Sequence, residues 1–318
     1  MTALPAIAVV VRVWEPRDWA GAMRDANPDR PVLIWPDIPD PAAIGYALAW
    51  HPPDGALASL PDLRIIFSLG AGIDHLMRDT KLPDVPIVRV VSPDLTRRMT
   101  EWTVWQVLTH HRQAAAYRAQ QARSEWHELR QPPASAVRVG IMGMGVLGRD
   151  AAEVLVRLGF DVAGWSRRQR VTLPGVKCFS GEAERAAFLK RTDILVSLLP
   201  LTPETRGILA MPLFRQLARD GALGPPVIIN GGRGGSQNEA DIVAALDDGT
   251  LGGASLDVFE TEPLPATSPL WRHPRVTITP HAAAWSSPAT LVPPMLAQIR
   301  AFEAGEPLRN LVDRKAGY

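Results

Sequence analysis

The chain holds 318 residues, with 34 Lys plus Arg against 33 Asp plus Glu and a formal net charge of +1. That length exceeds what one core usually organises, so two domains are expected. The balanced charge, with no long basic run, argues against a nucleic-acid partner, and the lone cysteine, Cys178, fits a small apolar filler in a reducing, cytoplasmic setting.

The apolar stretch at 6–11 is too short to cross a bilayer and lacks a basic leader and a small-residue cleavage site. It predicts a first buried strand and no membrane partner. Short apolar runs at 7–13, 32–35, 46–50, 65–69 and 87–91 alternate with helical or turn-forming stretches, the pattern of a small parallel sheet with helices on its faces. Behind the fourth run, Gly70, Ala71 and Gly72 are small enough to expose backbone N–H groups to an anion, although an ordinary tight turn would look the same. Residues 92–100 carry Arg97 and Arg98, expected in a loop facing the interdomain region. From 99 to about 130 there is neither Gly nor Pro, which predicts one long helix passing between domains.

Residues 137–168 follow as strand, glycine-rich turn, helix and second strand. Gly143, Gly145 and Gly148 form GxGxxG: the first permits the turn, the second lets backbone approach a pyrophosphate, and the third packs helix on strand. The helix N-terminus, with Val146 and Leu147 in its first turn, then faces the phosphates. A lone GxGxxG is weak evidence, but the apolar strand before it and the amphipathic helix after it (Ala152, Val154, Leu155, Leu158) supply the context of a dinucleotide site. The second strand ends in Ser166, Arg167 and Arg168. An acid there would bind the ribose 2′-hydroxyl of NAD, whereas an uncharged residue followed by arginine suits a 2′-phosphate. A charge-assisted hydrogen bond of about 1.5–3 kcal/mol is worth roughly ten- to a hundredfold in affinity. NADP(H) is therefore the expected cofactor, with NAD(H) possible; two solvated surface arginines are the plain alternative.

Besides strands at 139–142 and 161–165, the second half predicts strands at 194–198, 227–230, 253–256 and 276–279, then a helix at 291–305 returning to the first domain. The expected division is a discontinuous substrate domain, 1–100 with 284–318, and a dinucleotide-binding domain at 101–283.

Three segments behind these strands carry the chemistry: NGGRG at 230–234, LDVFETEPLP at 256–265 and TPHAA at 279–283. Ligands of a doubly wound sheet lie outside the carboxyl ends of its strands, so Arg233, Glu262 and His281 are expected to converge beside a nicotinamide. Singly they pass for a surface arginine, a solvated turn and a structural histidine; in this order, behind a dinucleotide half, they are specific. Reducing a 2-oxo acid builds negative charge on the carbonyl oxygen and calls for a proton donor within hydrogen-bond reach. His281 supplies one near neutral pH. A carboxylate on its other ring nitrogen, Glu262, fixes the tautomer and favours the imidazolium, while Arg233 offers a planar fork of donors to a carboxylate. No metal is expected.

With these motifs the chain resembles the D-isomer-specific 2-hydroxyacid dehydrogenases over nearly its whole length. LDVFETEPLP, the closing VTITPHAAA, SLGAGID at 68–74, AWHPP at 49–53 and the terminal VDRKAGY look most like the bacterial glyoxylate/hydroxypyruvate reductase A group. The resemblance implies an α/β protein of two domains, a Rossmann-type doubly wound parallel sheet plus a smaller flavodoxin-like substrate domain, closing on a cleft. It implies His281 as acid/base, Glu262 as its partner and Arg233 as substrate anchor. The loop at Gly70–Gly72 would lie across the cleft, with Trp50 and Trp285 walling a pocket for a small 2-oxo acid such as glyoxylate or hydroxypyruvate. Leu199, Pro200 and Thr205 would flank the adenosine side, and Gly231 and Asp257 the nicotinamide side. A homodimer formed through the nucleotide domain and the helix near 99 is also implied. Two departures stand out: Gly231 and Gly232 replace a bulkier pair and are expected to loosen the loop holding Arg233, and Arg97 and Arg98 make their segment more basic. The rival readings are a phosphoglycerate or D-lactate dehydrogenase and a non-catalytic NAD(P)-sensing protein; the intact Arg, Glu and His set disfavours the second.

Overall fold

The apolar runs that open the chain become the strands of one parallel sheet. In a computed structural model that describes residues 4–167 and 172–315, β1 (Ala6–Val11) is followed by α1 (Pro16–Ala26), β2 (Val32–Ile34), β3 (Ile44–Trp50), β4 (Ile65–Ser68), α2 (Asp74–Met77) and β5 (Ile87–Val88). The spatial order is β2-β1-β3-β4-β5, with every neighbouring pair parallel. This is the flavodoxin-like winding. β3 and β4 are buried along their whole length, as expected of strands covered on both faces, which read as continuous apolar runs.

The chain continues through α3 (Pro93–His111) and α4 (Ala114–Ala122) to β6 (Arg138–Met142), α5 (Val146–Arg157), β7 (Asp161–Ser166), β8 (Val176–Ser180), α6 (Gly181–Lys190), β9 (Ile194–Ser197), α7 (Met211–Phe214), β10 (Val227–Asn230), α8 (Glu239–Asp247), β11 (Gly253–Leu256) and β12 (Val276–Ile278). It closes with α9 (Pro288–Glu303). The second sheet is also wholly parallel, in the order β12-β11-β10-β9-β6-β7-β8. Counted from β6, that is a doubly wound sheet whose order reverses between β6 and β9, the switch point where ligands of such folds bind. The chain divides into two compact units, one of Met1–Leu95 with Ser286–Tyr318 and the other of Thr96–Trp285. Among the described residues no helix is long and apolar enough to cross a membrane.

Two expectations need correction. The uninterrupted helix from 99 to 130 does not form, and 92–100 is not a loop. α3 starts at Pro93, a residue whose fixed φ suits a first helical turn, so Arg97 and Arg98 are helical. α3 ends at His111, and Gln113 takes the left-handed conformation with φ 54. No glycine or proline marks this break because tertiary hydrogen bonds hold it: Gln113 Nε2 donates to the Arg130 carbonyl at 2.7 Å and the Leu129 N–H donates to Tyr117 Oη at 3.2 Å, tying the segment after α4 back along it. The edge strand β8 was not foreseen, since its residues are half-buried or exposed and carry no continuous apolar run. Cys178 lies on it, half-buried.

α9 is fastened to the first sheet by a charged cluster. Arg30, 4% exposed, donates to both carboxylate oxygens of Glu303 at 2.9 Å and to the Pro5 carbonyl at 2.9 Å, while Tyr46 Oη donates to Glu303 Oε1 at 2.9 Å. Burial and then the Glu303 carboxylate push the Tyr46 hydroxyl above its ordinary range. This cluster makes the discontinuous unit one body. Removing one partner strands a buried cation, so Glu303→Ala is expected to destabilise this unit by about 2 kcal/mol, visible as an earlier unfolding phase in urea. The unfolding of Thr96–Trp285 should stay where it is.

Candidate active site

β6 ends at Met142, and Gly143 turns the chain with φ 103. A side chain there would be strained, and its Cβ would stand 2.7 Å from the Leu198 carbonyl oxygen. Gly148 brings α5 against this turn so closely that a Cβ would sit 2.1 Å from the Gly143 oxygen. Gly145 differs from both: it precedes α5, and a Cβ on it would meet nothing within 4 Å. The space over Gly145 and the free N–H groups of the first turn, at exposed Val146 and half-buried Leu147, form an anion receptor with the helix dipole behind it. These residues fit the diphosphate of a dinucleotide.

Ser166 ends β7 and Arg167 follows it; Arg168 lies outside the described residues. Arg167 Nη1 pairs with Glu204 Oε2 at 2.7 Å. Leu199 is buried and Pro200 half-buried behind β9. Thr205 is buried; its hydroxyl donates to the Pro200 carbonyl at 2.6 Å and accepts from the Thr202 N–H at 2.8 Å, shaping the turn behind β9.

Behind β10, the fully buried Asn230 organises the loop that carries Arg233. Its amide donates to Gln237 Oε1 at 2.8 Å and to the Arg233 carbonyl at 3.2 Å, and its Oδ1 accepts the Gly232 N–H at 3.1 Å. Gln237 in turn donates to the Val258 carbonyl at 2.9 Å, linking the loops after β10 and β11. Gly231 and Gly232 do not loosen this loop, contrary to expectation. A Cβ at 231 would lie 2.8 Å from the Trp102 ring and one at 232 would lie 2.7 Å from the Leu199 oxygen, so both glycines serve close packing. Arg233 is half-buried, with Nη1 donating to the Gly232 carbonyl at 2.8 Å.

The loops after β11 and β12 bring a histidine and a carboxylate together. His281 Nδ1 lies 2.7 Å from Glu262 Oε2, the two side chains being 36% and 35% exposed. Glu262 also accepts the Phe259 N–H at 3.0 Å. Burial pulls the Glu262 carboxyl upward, but the His281 hydrogen bond and charge, the Phe259 N–H and the Arg233 charge outweigh it and hold the group below the usual carboxylate range. The stabilisation from this pair is therefore complete above the ordinary carboxylate value and is lost as pH falls through the lower folded one. Glu260 lies beside this loop and points elsewhere: it accepts the Glu239 N–H at 2.8 Å, and Glu239 accepts the Glu260 N–H at 2.8 Å.

Asp257, 1% exposed, anchors the His281 loop from below. Its Oδ1 accepts from Thr279 Oγ1 at 2.6 Å, the Ala282 N–H at 2.9 Å and the Ala283 N–H at 3.1 Å, and Oδ2 accepts from the Ala283 N–H at 3.1 Å. Burial raises the Asp257 carboxyl despite these bonds. The Asp257 carbonyl accepts the His281 N–H at 2.7 Å, and Trp102 on α3 donates to Thr279 Oγ1 at 3.0 Å. Asn230 and Thr279 open two of the quoted motifs and Gln237 follows the first, but no role was read for them from the sequence, and Trp102, far from every motif, carried no local signal.

Within the unit of Met1–Leu95 and Ser286–Tyr318, Ser68 Oγ donates to the carbonyls of Gly70 and Gly72 at 3.2 and 3.3 Å, ordering the small-residue loop. Trp50, expected as a pocket wall, is 7% exposed: it stacks on Trp14 at 4.6 Å and occupies the space a Cβ at Gly70 would need. It buttresses the loop from behind. Trp285 is 54% exposed, with Arg98 6.0 Å from its ring. Thr279→Val would leave the Trp102 N–H without its acceptor and Asp257 without its shortest donor. Loss of about 1–3 kcal/mol of stability is expected, measured by denaturant unfolding of the variant.

Residues 104–283 match the family model of the D-isomer specific 2-hydroxyacid dehydrogenase NAD binding domain. Glyoxylate/hydroxypyruvate reductase A of Escherichia fergusonii is 42% identical over 307 residues, 94% of this chain and 96% of that one. The NADPH-dependent glyoxylate/hydroxypyruvate reductase of Sinorhizobium meliloti, solved with NADP and sulfate, is 49% identical with a TM-score of 0.94, covering 98% of this chain and 100% of that one. A probable 2-hydroxyacid dehydrogenase of Rhizobium etli, solved with NADP, HEPES and L(+)-tartaric acid, is 48% identical with a TM-score of 0.93 over 99% of both chains. The chain belongs to the D-isomer specific 2-hydroxyacid dehydrogenase family of oxidoreductases.

Proposed function

We propose that the protein is an NADPH-dependent reductase of small 2-oxo acids, converting glyoxylate to glycolate and hydroxypyruvate to D-glycerate. The observation that carries this reading is the 2.7 Å pair of His281 Nδ1 and Glu262 Oε2 in the unit that also holds the glycine turn and Arg233. The relatives from S. meliloti and E. fergusonii are both named glyoxylate/hydroxypyruvate reductases, the first of them NADPH-dependent. NADPH, when bound, supplies the hydride.

Every other role falls to this chain. Arg233 holds the substrate carboxylate in its planar fork and fixes the ketone's orientation. With Nδ1 committed to Glu262, Nε2 is the ring atom left to protonate the carbonyl oxygen as negative charge gathers there. Glu262 is ionised at neutral pH and stabilises the imidazolium before transfer. The Gly70–Gly72 loop is a second candidate receptor for a carboxylate, through backbone N–H groups. The receptor over Gly145 takes the diphosphate, and Ser166 with Arg167 takes the 2′-phosphate; Oδ2 of Asp257 and the backbone at Gly231 remain the candidates for the nicotinamide end.

Exposed Trp105, Tyr117 and Trp126 on α3, α4 and the segment behind them favour a homodimer formed through that surface; the single cysteine fits a cytoplasmic setting. Light scattering should give the mass of two chains, and Trp126→Asp should reduce it to one.

The central test is NADPH oxidation at about 340 nm with glyoxylate, hydroxypyruvate, pyruvate and phosphohydroxypyruvate. His281→Ala should lower kcat by about 10²–10⁴-fold while NADPH still binds; full activity in that variant would refute the assignment. The acid limb of the wild-type profile should fall below the ordinary carboxylate range near pH 4.5, because Glu262 must be protonated to lose its role.

A further inference from the structure

The ion pair of Arg167 and Glu204 is not used by the chemistry described so far. Arg167 stands directly behind β7 and Glu204 in the turn behind β9, and the sheet order places β6 between these two strands. Two strand spacings amount to roughly 10 Å, and the 2.7 Å contact closes that distance over the exit of β6, where the glycine turn receives a dinucleotide. Glu204 is therefore set beside the adenosine end of the site. Its side chain is 59% exposed and that of Arg167 26%. The Thr202 hydroxyl first, then its own backbone and Arg167, hold the Glu204 carboxyl down to about 2, so it carries its charge throughout the working range.

We propose that Arg167 and Glu204 jointly read the ribose 2′ position, the arginine taking a 2′-phosphate and the glutamate a 2′-hydroxyl, so that the pair sets how strongly NADPH is preferred over NADH. This rests on the assignment of the adenosine end to Arg167 made above. The chemistry follows from donor counting. A guanidinium has five N–H donors in a fixed fork, more than one carboxylate uses, so Arg167 can hold Glu204 and accept a phosphate on its other edge. The incoming phosphate, with a charge of about −1.5 to −2 near neutral pH, then meets Glu204 as a like charge one guanidinium away. A bare 2′-hydroxyl instead donates to Glu204, the contact that an acid at the end of the second strand makes in NAD sites. Ser166 cannot accept with a charge there; the turn behind β9 provides one. The glutamate thus opposes NADPH and favours NADH, and the arginine does the reverse.

Equilibrium titrations with NADPH and with NADH, followed by cofactor fluorescence, test this in the wild type, Glu204→Gln and Arg167→Ala. Glu204→Gln should tighten NADPH and weaken NADH, raising the ratio of the NADH to the NADPH dissociation constant by about tenfold. Arg167→Ala should lower that ratio by about tenfold or more. If Arg167→Ala collapses the ratio while Glu204→Gln leaves it unchanged, the glutamate has no part in the selection and the proposal fails with the arginine's role intact. A fall in the ratio for Glu204→Gln overturns it as well, since the glutamate would then only orient the arginine. If neither variant changes the ratio, the adenosine end is not at Arg167, and the underlying assignment falls too.

Discussion

A carboxylate taken out of water must find hydrogen bonds inside the protein or be neutralised, and Asp257 shows how this protein turns that requirement into a scaffold. Burial raises its carboxyl, and Thr279, Ala282 and Ala283 converge on it to compensate. Those three donors are the residues on either side of His281. The histidine itself has φ 53, a left-handed conformation that few residues other than glycine adopt. Its backbone N–H is spent on the Asp257 and Thr279 carbonyls at 2.7 and 3.1 Å. The imidazole is aimed because the peptide beneath it has no freedom left.

The same division between buried support and exposed chemistry recurs at each loop. Asn230 is fully enclosed and half-buried Arg233 projects from the loop it ties; Thr205 is enclosed and exposed Glu204 precedes it; Trp50 is enclosed and half-buried Ala71 lies at the turn it supports. A group that must meet substrate keeps some contact with solvent, while its orientation is fixed by neighbours that have none. Positioning by rigid neighbours is what converts a set of polar side chains into a site.

Features that depend on local constraints were legible in the sequence. GxGxxG is readable because a turn, a close backbone approach and a helix contact each exclude a side chain within a few residues, and Arg233, Glu262 and His281 because each follows a run that can only be a buried strand. Burial of polar groups was not legible. Asp257 and Thr205 are ordinary turn formers in a sequence, and nothing in it says that their oxygens are already engaged by the protein. The glycines at 231 and 232 suggested freedom, but Trp102 and Leu199, distant in sequence, fill the space beside them. The break at Gln113 escaped for the same reason: its cause is a hydrogen bond to Arg130.

The position of Glu204 follows from topology more than from motif. A doubly wound sheet reverses its order beside its first strand, so the loops behind β7 and β9 face each other over a single intervening turn although they are far apart in sequence. In the proposed reading, charges on those two loops meet whatever the nucleotide carries at its ribose. An acid at the end of the second strand is one way to place a carboxylate there; a longer loop from the other side of the reversal is another, and it leaves the strand end open for an arginine. In the proposed reading the fold permits both charges at one ribose, and their balance, set by a half-buried arginine and an exposed glutamate, can change without disturbing the enclosed network that aims His281.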